Sequence, residues 1–428
     1  MKKRKGEYFI GMTYSSSSNK KYSRRKRQRL RELYLRRTLI VSICVLVLAG
    51  LGAATYFFII PSVSHLFTAS STSSVTRDEA PAKATEETTK PQVIPVTQAP
   101  TEAPTEPPTE EPDKPASVDT YVTPVIADDG KDGTLFSSTL YLYKGKGFNL
   151  FGSTDKVAKN YATAVNDLTK KLDKNITVYN MVVPNHTEFG LPKRIQDSIG
   201  CSSQAENLKQ ITANLSDRII PINCYNELSE HNTEYIYYNT DHHWTSLGAY
   251  YAYSAFCAQT GQTPVELSAL SANTIDGFTG SFYTLSGSSA LKENADKVIY
   301  YSLPNKTSAT MTERMGDSSI ACDVYYPAST GGSLTYGVFC WGDTAKFVIK
   351  SDAGTGKKIA VVKDSYGNAF APYLTANYDE VHLLDYRYFK GNLNDYLKAN
   401  GITEVMFLNN TMSANSASQV TAMKNALS

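Results

Sequence analysis

Residues 38–60, TLIVSICVLVLAGLGAATYFFII, form an apolar run of 23 residues without a single charge. As a helix rising about 1.5 Å per residue, the run is long enough to cross a hydrocarbon layer roughly 30 Å thick. A chain with one such run has to fold as two unequal parts on opposite sides of a membrane. Residues 1–37 hold 14 Lys and Arg against Glu7 and Glu32, a net +12, and a basic excess beside the first span is retained on the cytoplasmic side. A cleaved signal is the competing reading. Its apolar region, however, is typically ~7–15 residues, and Pro61-Ser62-Val63-Ser64-His65 makes a poor cleavage site. The expectation is an uncleaved anchor in the cell membrane, with the N-terminus inside and the large C-terminal part outside.

Charge follows the same division. The formal net charge of +2 hides a basic tail joined to a remainder with 29 basic and 39 acidic residues, net −10, so nucleic acid is not an expected partner of the outer part. The tail needs no ligand beyond anionic headgroups to explain its composition. Residues 61–118, which include TQAPTEAPTEPPTEEPDKP, are too rich in Thr, Pro and Glu to bury a core. They read as an extended stalk that holds the outer domain away from the membrane. Of six cysteines, Cys44 lies in the span, and Cys201, Cys224, Cys257, Cys322 and Cys340 lie outside it. This spacing suits neither a disulfide scaffold nor a cysteine metal site. Cys322 and Cys340 flank an expected hairpin, where a disulfide and ordinary buried thiols are both open.

Residues 119–428 suffice for one large domain. Strand-like runs at 176–183, 218–222, 358–362, 380–384 and 404–408 alternate with helical patterns at 156–172, 245–260 and 392–400. Such alternation argues an α/β fold with a parallel sheet and helices on both faces. The stretch 261–354 breaks the rhythm with Gly, Ser and Thr loops around Tyr-rich runs, and reads as a β-rich insertion.

Ligands of open α/β sheets gather at the carboxyl ends of the strands, and three unusual clusters are expected there: Asn185-His186, Asp241-His242-His243-Trp244, and Asp364-Ser365-Tyr366-Gly367-Asn368. A serine hydroxyl becomes a nucleophile when an imidazole takes its proton and a carboxylate holds the other imidazole nitrogen. Asp241, His243 and Ser365 supply that set. An Asp two residues before a His can reach its ring within one turn, and Ser365 stands where a strand passes into a helix whose amides suit an oxyanion. Other roles also fit these residues: Asp241, Asp364 and Ser365 suit helix capping, and His186 with His242 and His243 suits a metal, although the regular H-x₃-H spacing is missing. No metal or other cofactor is expected.

Taken together, NTDHHWTSLGAYYAY and VVKDSYGNAFAPYL resemble the DHHW protein family, which is similar to alginate O-acetyltransferase proteins and to the wider SGNH hydrolases. The resemblance covers about residues 120–428. It implies a flavodoxin-like SGNH domain in which the Asp-x-His block precedes the Ser block, and it carries catalytic roles onto Asp241, His243 and Ser365. The superfamily's oxyanion residues do not map onto single positions, so Asn368, Arg387, Asn409 and Asn410 are candidates; His186 and Trp244 are candidates for substrate or oxyanion contact, and His242 for packing or substrate contact.

The implied activity is an extracellular serine-dependent O-acetyltransferase or acetylesterase acting on an envelope polysaccharide or exopolysaccharide. The related transferase systems draw acetyl groups through a polytopic membrane protein, which would be this chain's partner. The 29 Tyr residues suit sugar-stacking surfaces as well as a core. The reading from another class is a non-catalytic cell-wall or spore-coat polysaccharide-binding protein that keeps the fold.

Overall fold

The computed structural model describes residues 120–428 apart from 317 and 328–330. The expected tail, span and stalk lie outside the described residues, among which no helix is long and apolar enough to cross a membrane. Strands β1 (Thr134–Ser137), β2 (Leu140–Tyr143) and β3 (Lys146–Asn149) make a small antiparallel sheet of their own.

The main sheet is organised by runs of apolar residues that are buried on both faces. β4 (Thr177–Val183), β11 (Lys358–Lys363), β12 (Glu380–Asp385) and β13 (Glu404–Asn410) are each buried from their second residue onward, the signature of strands covered by helices above and below. β5 (Ile219–Ile222) contains Pro221 and sits at the sheet edge, where a missing N–H is tolerated. These five strands pair in parallel in the order β5-β4-β13-β11-β12.

The helices of eight or more residues are α1 (Asp155–Lys170), α2 (Gln204–Ala213), α3 (Ser246–Gln259), α4 (Gly367–Leu374), α5 (Leu393–Asn400) and α6 (Ala417–Leu427). The step from β4 to β5 moves one way across the sheet and the step from β11 to β12 moves the other way. Right-handed crossovers therefore put α2 and α4 on opposite faces. α1 and α6 join α2, while α3 packs on α4. The carboxyl ends of β4, β13 and β11 thus stand where the winding reverses, the crevice in which such sheets bind ligands.

The expectation of a wholly parallel sheet needs correction, because the sheet is mixed. Within residues 261–354, β6 (Ser271–Phe278) and β7 (Asp296–Ser302) pair only with each other. β8 (Thr307–Thr312), β9 (Ser319–Cys322) and β10 (Lys346–Ser351) instead extend the main sheet antiparallel beyond β12. They cover an edge that β12 would otherwise leave unpaired.

The five described cysteines form no disulfide; Cys340 is buried with its Sγ 3.5 Å from the Asn368 carbonyl oxygen. Much of the tyrosine content is core, with Tyr161, Tyr225, Tyr253, Tyr373 and Tyr378 almost wholly buried. The count of tyrosines therefore does not mark a sugar-binding surface.

Candidate active site

Ser365 stands two residues beyond β11, on the turn into α4. The turn is held by Asp364, which is 2% exposed. Its Oδ1 accepts the Tyr366 amide at 2.9 Å, and its Oδ2 accepts the amide and side-chain Nδ2 of Asn410, both at 2.8 Å. Burial raises the Asp364 pKa against those donors. The ends of β11 and β13 are thereby tied together beneath the serine.

Asp241 and His243 do not follow a strand, contrary to the expectation for all three residues. Residues 231–245 form an irregular loop into α3, with one isolated bridge between Tyr237 and Trp244. Nor does Asp241 cap α3; Thr245 does, accepting the Gly248 amide at 3.3 Å. The loop is shaped from the insertion. Asp296 on β7 accepts the amides of Asn239 and Thr240, both at 2.8 Å, and the hydroxyls of Tyr235 and Thr240, both at 2.5 Å. Ser281 donates its amide to Asp241 Oδ2 at 2.7 Å. Gly280 lies so close that a Cβ there would stand 2.2 Å from Asp241 Cβ, so this approach requires glycine.

The resulting arrangement joins residues 122 positions apart. His243 Nδ1 is 2.5 Å from Asp241 Oδ1, and His243 Nε2 is 2.6 Å from Ser365 Oγ. Burial alone would raise the Asp241 pKa, but His242, His243 and the Ser281 amide outweigh it and hold the carboxyl well below its usual range. The His243 ring lies between two others. Tyr336 stacks on one face with centroids 3.7 Å apart and planes within 8°, and donates its hydroxyl to the Ser365 carbonyl oxygen at 3.2 Å. His242 leans on the ring at 3.9 Å and 37°. Tyr336, Asp296, Gly280 and Ser281 escaped the sequence reading, since each is an isolated residue in the irregular insertion.

The remaining candidates separate by burial and bonding. Trp244 is wholly buried and donates its indole N–H to the Tyr366 carbonyl oxygen at 3.1 Å, which makes it packing. Both N–H bonds of the Asn410 side chain are engaged, by Asp364 and by Ser413. Asn409 is also buried and bonds Tyr161. Asn368 donates to Asp343 at 3.2 Å, and its buried Oδ1 lacks a partner. Arg387 bonds Asp343 at 2.9 Å and Asp385 at 2.6 Å, and in this way borders the site. His231 and His382, which have no notable polar company in sequence, do have partners: Glu234, and Glu380 with Tyr396. Asp241, His242 and His243 each offer a ligand atom within 4.8 Å of the others, but the two nitrogens of His243 already face Asp241 and Ser365.

His186 is not brought to Ser365 by any contact; it is partly buried between Tyr237 and Phe148, with its buried Nδ1 unpartnered. Burial, helped by the charge of Lys146, pushes its pKa down to about 3. A base depressed in the folded state stabilises above its unfolded pKa of about 6.5 and loses that stabilisation as pH falls toward the folded value. Urea unfolding is expected to show stability falling by up to about 1.4 kcal/mol per pH unit between pH 6 and 4 from this group, and His186→Phe should flatten that slope. An equally steep slope in the variant would disprove the assignment.

A model of the DHHW protein family matches residues 113–384. Among solved structures, a DHHW family protein from Eubacterium siraeum is 31% identical, with 71% of this chain and 100% of that chain covered and a TM-score of 0.64. PatB1 of Bacillus cereus, solved with a sulfonyl adduct, is 20% identical over 68% of this chain and 100% of its own, with a TM-score of 0.55, a likeness of fold. The O-acetyltransferase domain of Pseudomonas putida AlgJ is 12% identical, covers 69% of this chain and 99% of its own, and has a TM-score of 0.36. No curated protein matches the chain.

Proposed function

The chain belongs to the DHHW protein family, and from that premise we propose that it is a serine-dependent acetyl transferase or esterase of the cell envelope, with a polysaccharide as its substrate. The observation that carries the reading is the 2.6 Å separation of Ser365 Oγ and His243 Nε2, with Asp241 on the far nitrogen. In the first half-reaction, Ser365 Oγ attacks the acetyl carbonyl carbon and its proton passes to His243 Nε2. The departing alkoxide takes that proton as the donor C–O bond breaks. In the second, an acceptor hydroxyl or water gives its proton to His243 Nε2 and attacks the acetyl-serine, and Ser365 Oγ leaves with the proton. Asp241 fixes the tautomer and offsets the charge on the ring. The oxyanion falls at the start of α4, where the helix dipole favours negative charge.

Placement outside the cell rests on the 23-residue apolar run and the +12 tail. Protease added to intact cells is expected to remove the domain and spare the tail; cleavage of the tail alone would reverse the topology. The substrate is tested by wall and exopolysaccharide acetyl content in a deletion strain, its complement and a Ser365→Ala complement. Acetylation should change in the deletion strain, return with the wild-type gene and fail to return with Ser365→Ala. Equal acetylation in all three strains would favour the polysaccharide-binding reading, and activity abolished by EDTA and restored by zinc would refute a metal-free reaction.

A further inference from the structure

The two rings that enclose His243 differ in what they can do. Tyr336 is 7% exposed and its hydroxyl is committed to the Ser365 carbonyl oxygen. The His242 side chain keeps 38% of its surface open. Its Nδ1 lies 2.8 Å from Ser281 Oγ and 3.5 Å from Asp241 Oδ1, the same oxygen that holds His243 Nδ1. Two neighbouring imidazoles that direct Nδ1 toward one carboxylate oxygen both direct Nε2 away from it, and on His243 that nitrogen meets Ser365. Ser281 Oγ and the Asp241 carboxylate occupy Nδ1, which leaves Nε2 to exchange a hydrogen bond with a bound group. Partial desolvation and the neighbouring His243 depress the His242 pKa, which favours the neutral ring. A partly open imidazole thus stands 3.9 Å from the ring of the proposed base, with no use in the mechanism above.

Resting on the proposed acyl-serine reading, we propose that His242 binds the acceptor and that the acceptor is a vicinal diol. One hydroxyl exchanges a hydrogen bond with His242 Nε2. Its neighbour passes its proton to His243 Nε2 and attacks the acyl carbon. A new C–O bond forms, the bond to Ser365 Oγ breaks, and the proton ends on Ser365; His242 neither gains nor loses a proton. Adjacent hydroxyls are what a sugar ring offers, whereas water and a simple alcohol offer one contact at a time.

The test uses the full-length chain, p-nitrophenyl acetate as donor, and ethanol or ethane-1,2-diol as acceptor, with acetylated alcohol measured against free acetate. This ratio is internal to each sample and does not depend on the fraction of folded protein. One hydrogen bond gives an expected preference for the diol, per hydroxyl, of about ten-fold. His242→Leu should lose the preference, and His242→Gln, whose amide oxygen can accept, should keep part of it. No diol preference in the wild type, or an equal preference in His242→Leu, overturns the inference, as does a parallel fall of transfer and hydrolysis, which is the mark of a merely structural ring. Mass spectrometry of the same samples separates the two levels: acetyl on Ser365 with no diol effect overturns the role of His242 alone, and no acetyl on Ser365 overturns the acyl-serine reading beneath it as well.

Discussion

Alanine at Ser365 is expected to lower p-nitrophenyl acetate turnover by the full-length chain by on the order of 10³-fold or more, and alanine at His243 by a similar factor. The two losses should not add. Once Oγ has no base or the base has no Oγ, the remaining partner has nothing to transfer, so the double variant should match the singles. Thermal melting of each variant separates chemistry from folding, because Ser365 lies on a turn already held by Asp364 and Asn410. A His242→Ala protein that is dead beside an active His243→Ala protein would reverse the assignment of the base.

The largest expected effect on stability lies directly behind the serine. Lys363 and Asp385 face each other across the parallel pair β11 and β12, 1% and 0% exposed, with Nζ and Oδ2 3.0 Å apart. Asp385 also accepts Arg387 through Nε at 2.8 Å and through the guanidinium nitrogen that reaches Asp343. Asp385→Ala strands a buried ammonium and deprives Arg387 of its main anchor, at an expected cost of about 3–5 kcal/mol in urea unfolding. Replacing Lys363 by Met in the same protein should recover much of the loss, since a matched apolar pair carries no unpaired charge. A single variant within about 0.5 kcal/mol of the wild type would show that water reaches the lysine.

The parallel core was legible because its strands are buried on both faces. Continuous apolar runs such as KIAVV have no use outside such a sheet, and their ends were read to within about two residues. The antiparallel extension was not legible, since β8 and β10 are separated in sequence by β9 and a long loop, and their pairing is set by the open edge of β12 rather than by any local pattern. Tyr237 and Tyr238 reach the core from a loop rather than a strand, so Asp241 does not stand at a strand end, even though the Asp-x-His spacing marked the contact with His243. His186 and Trp244 stood in clusters expected at strand ends, and packing against aromatic neighbours occupies both.

In the proposed acyl-serine reaction, the enclosure of His243 by Tyr336 and His242 would also govern the order of events at the serine. A ring gripped on both faces, with one nitrogen pinned to Asp241, cannot swing out or turn over between steps. The same nitrogen must therefore serve both half-reactions along one line of approach, and the departing alcohol and the incoming one compete for that line. Donor and acceptor have to take turns, so double-reciprocal plots at several acceptor concentrations should run parallel rather than converge.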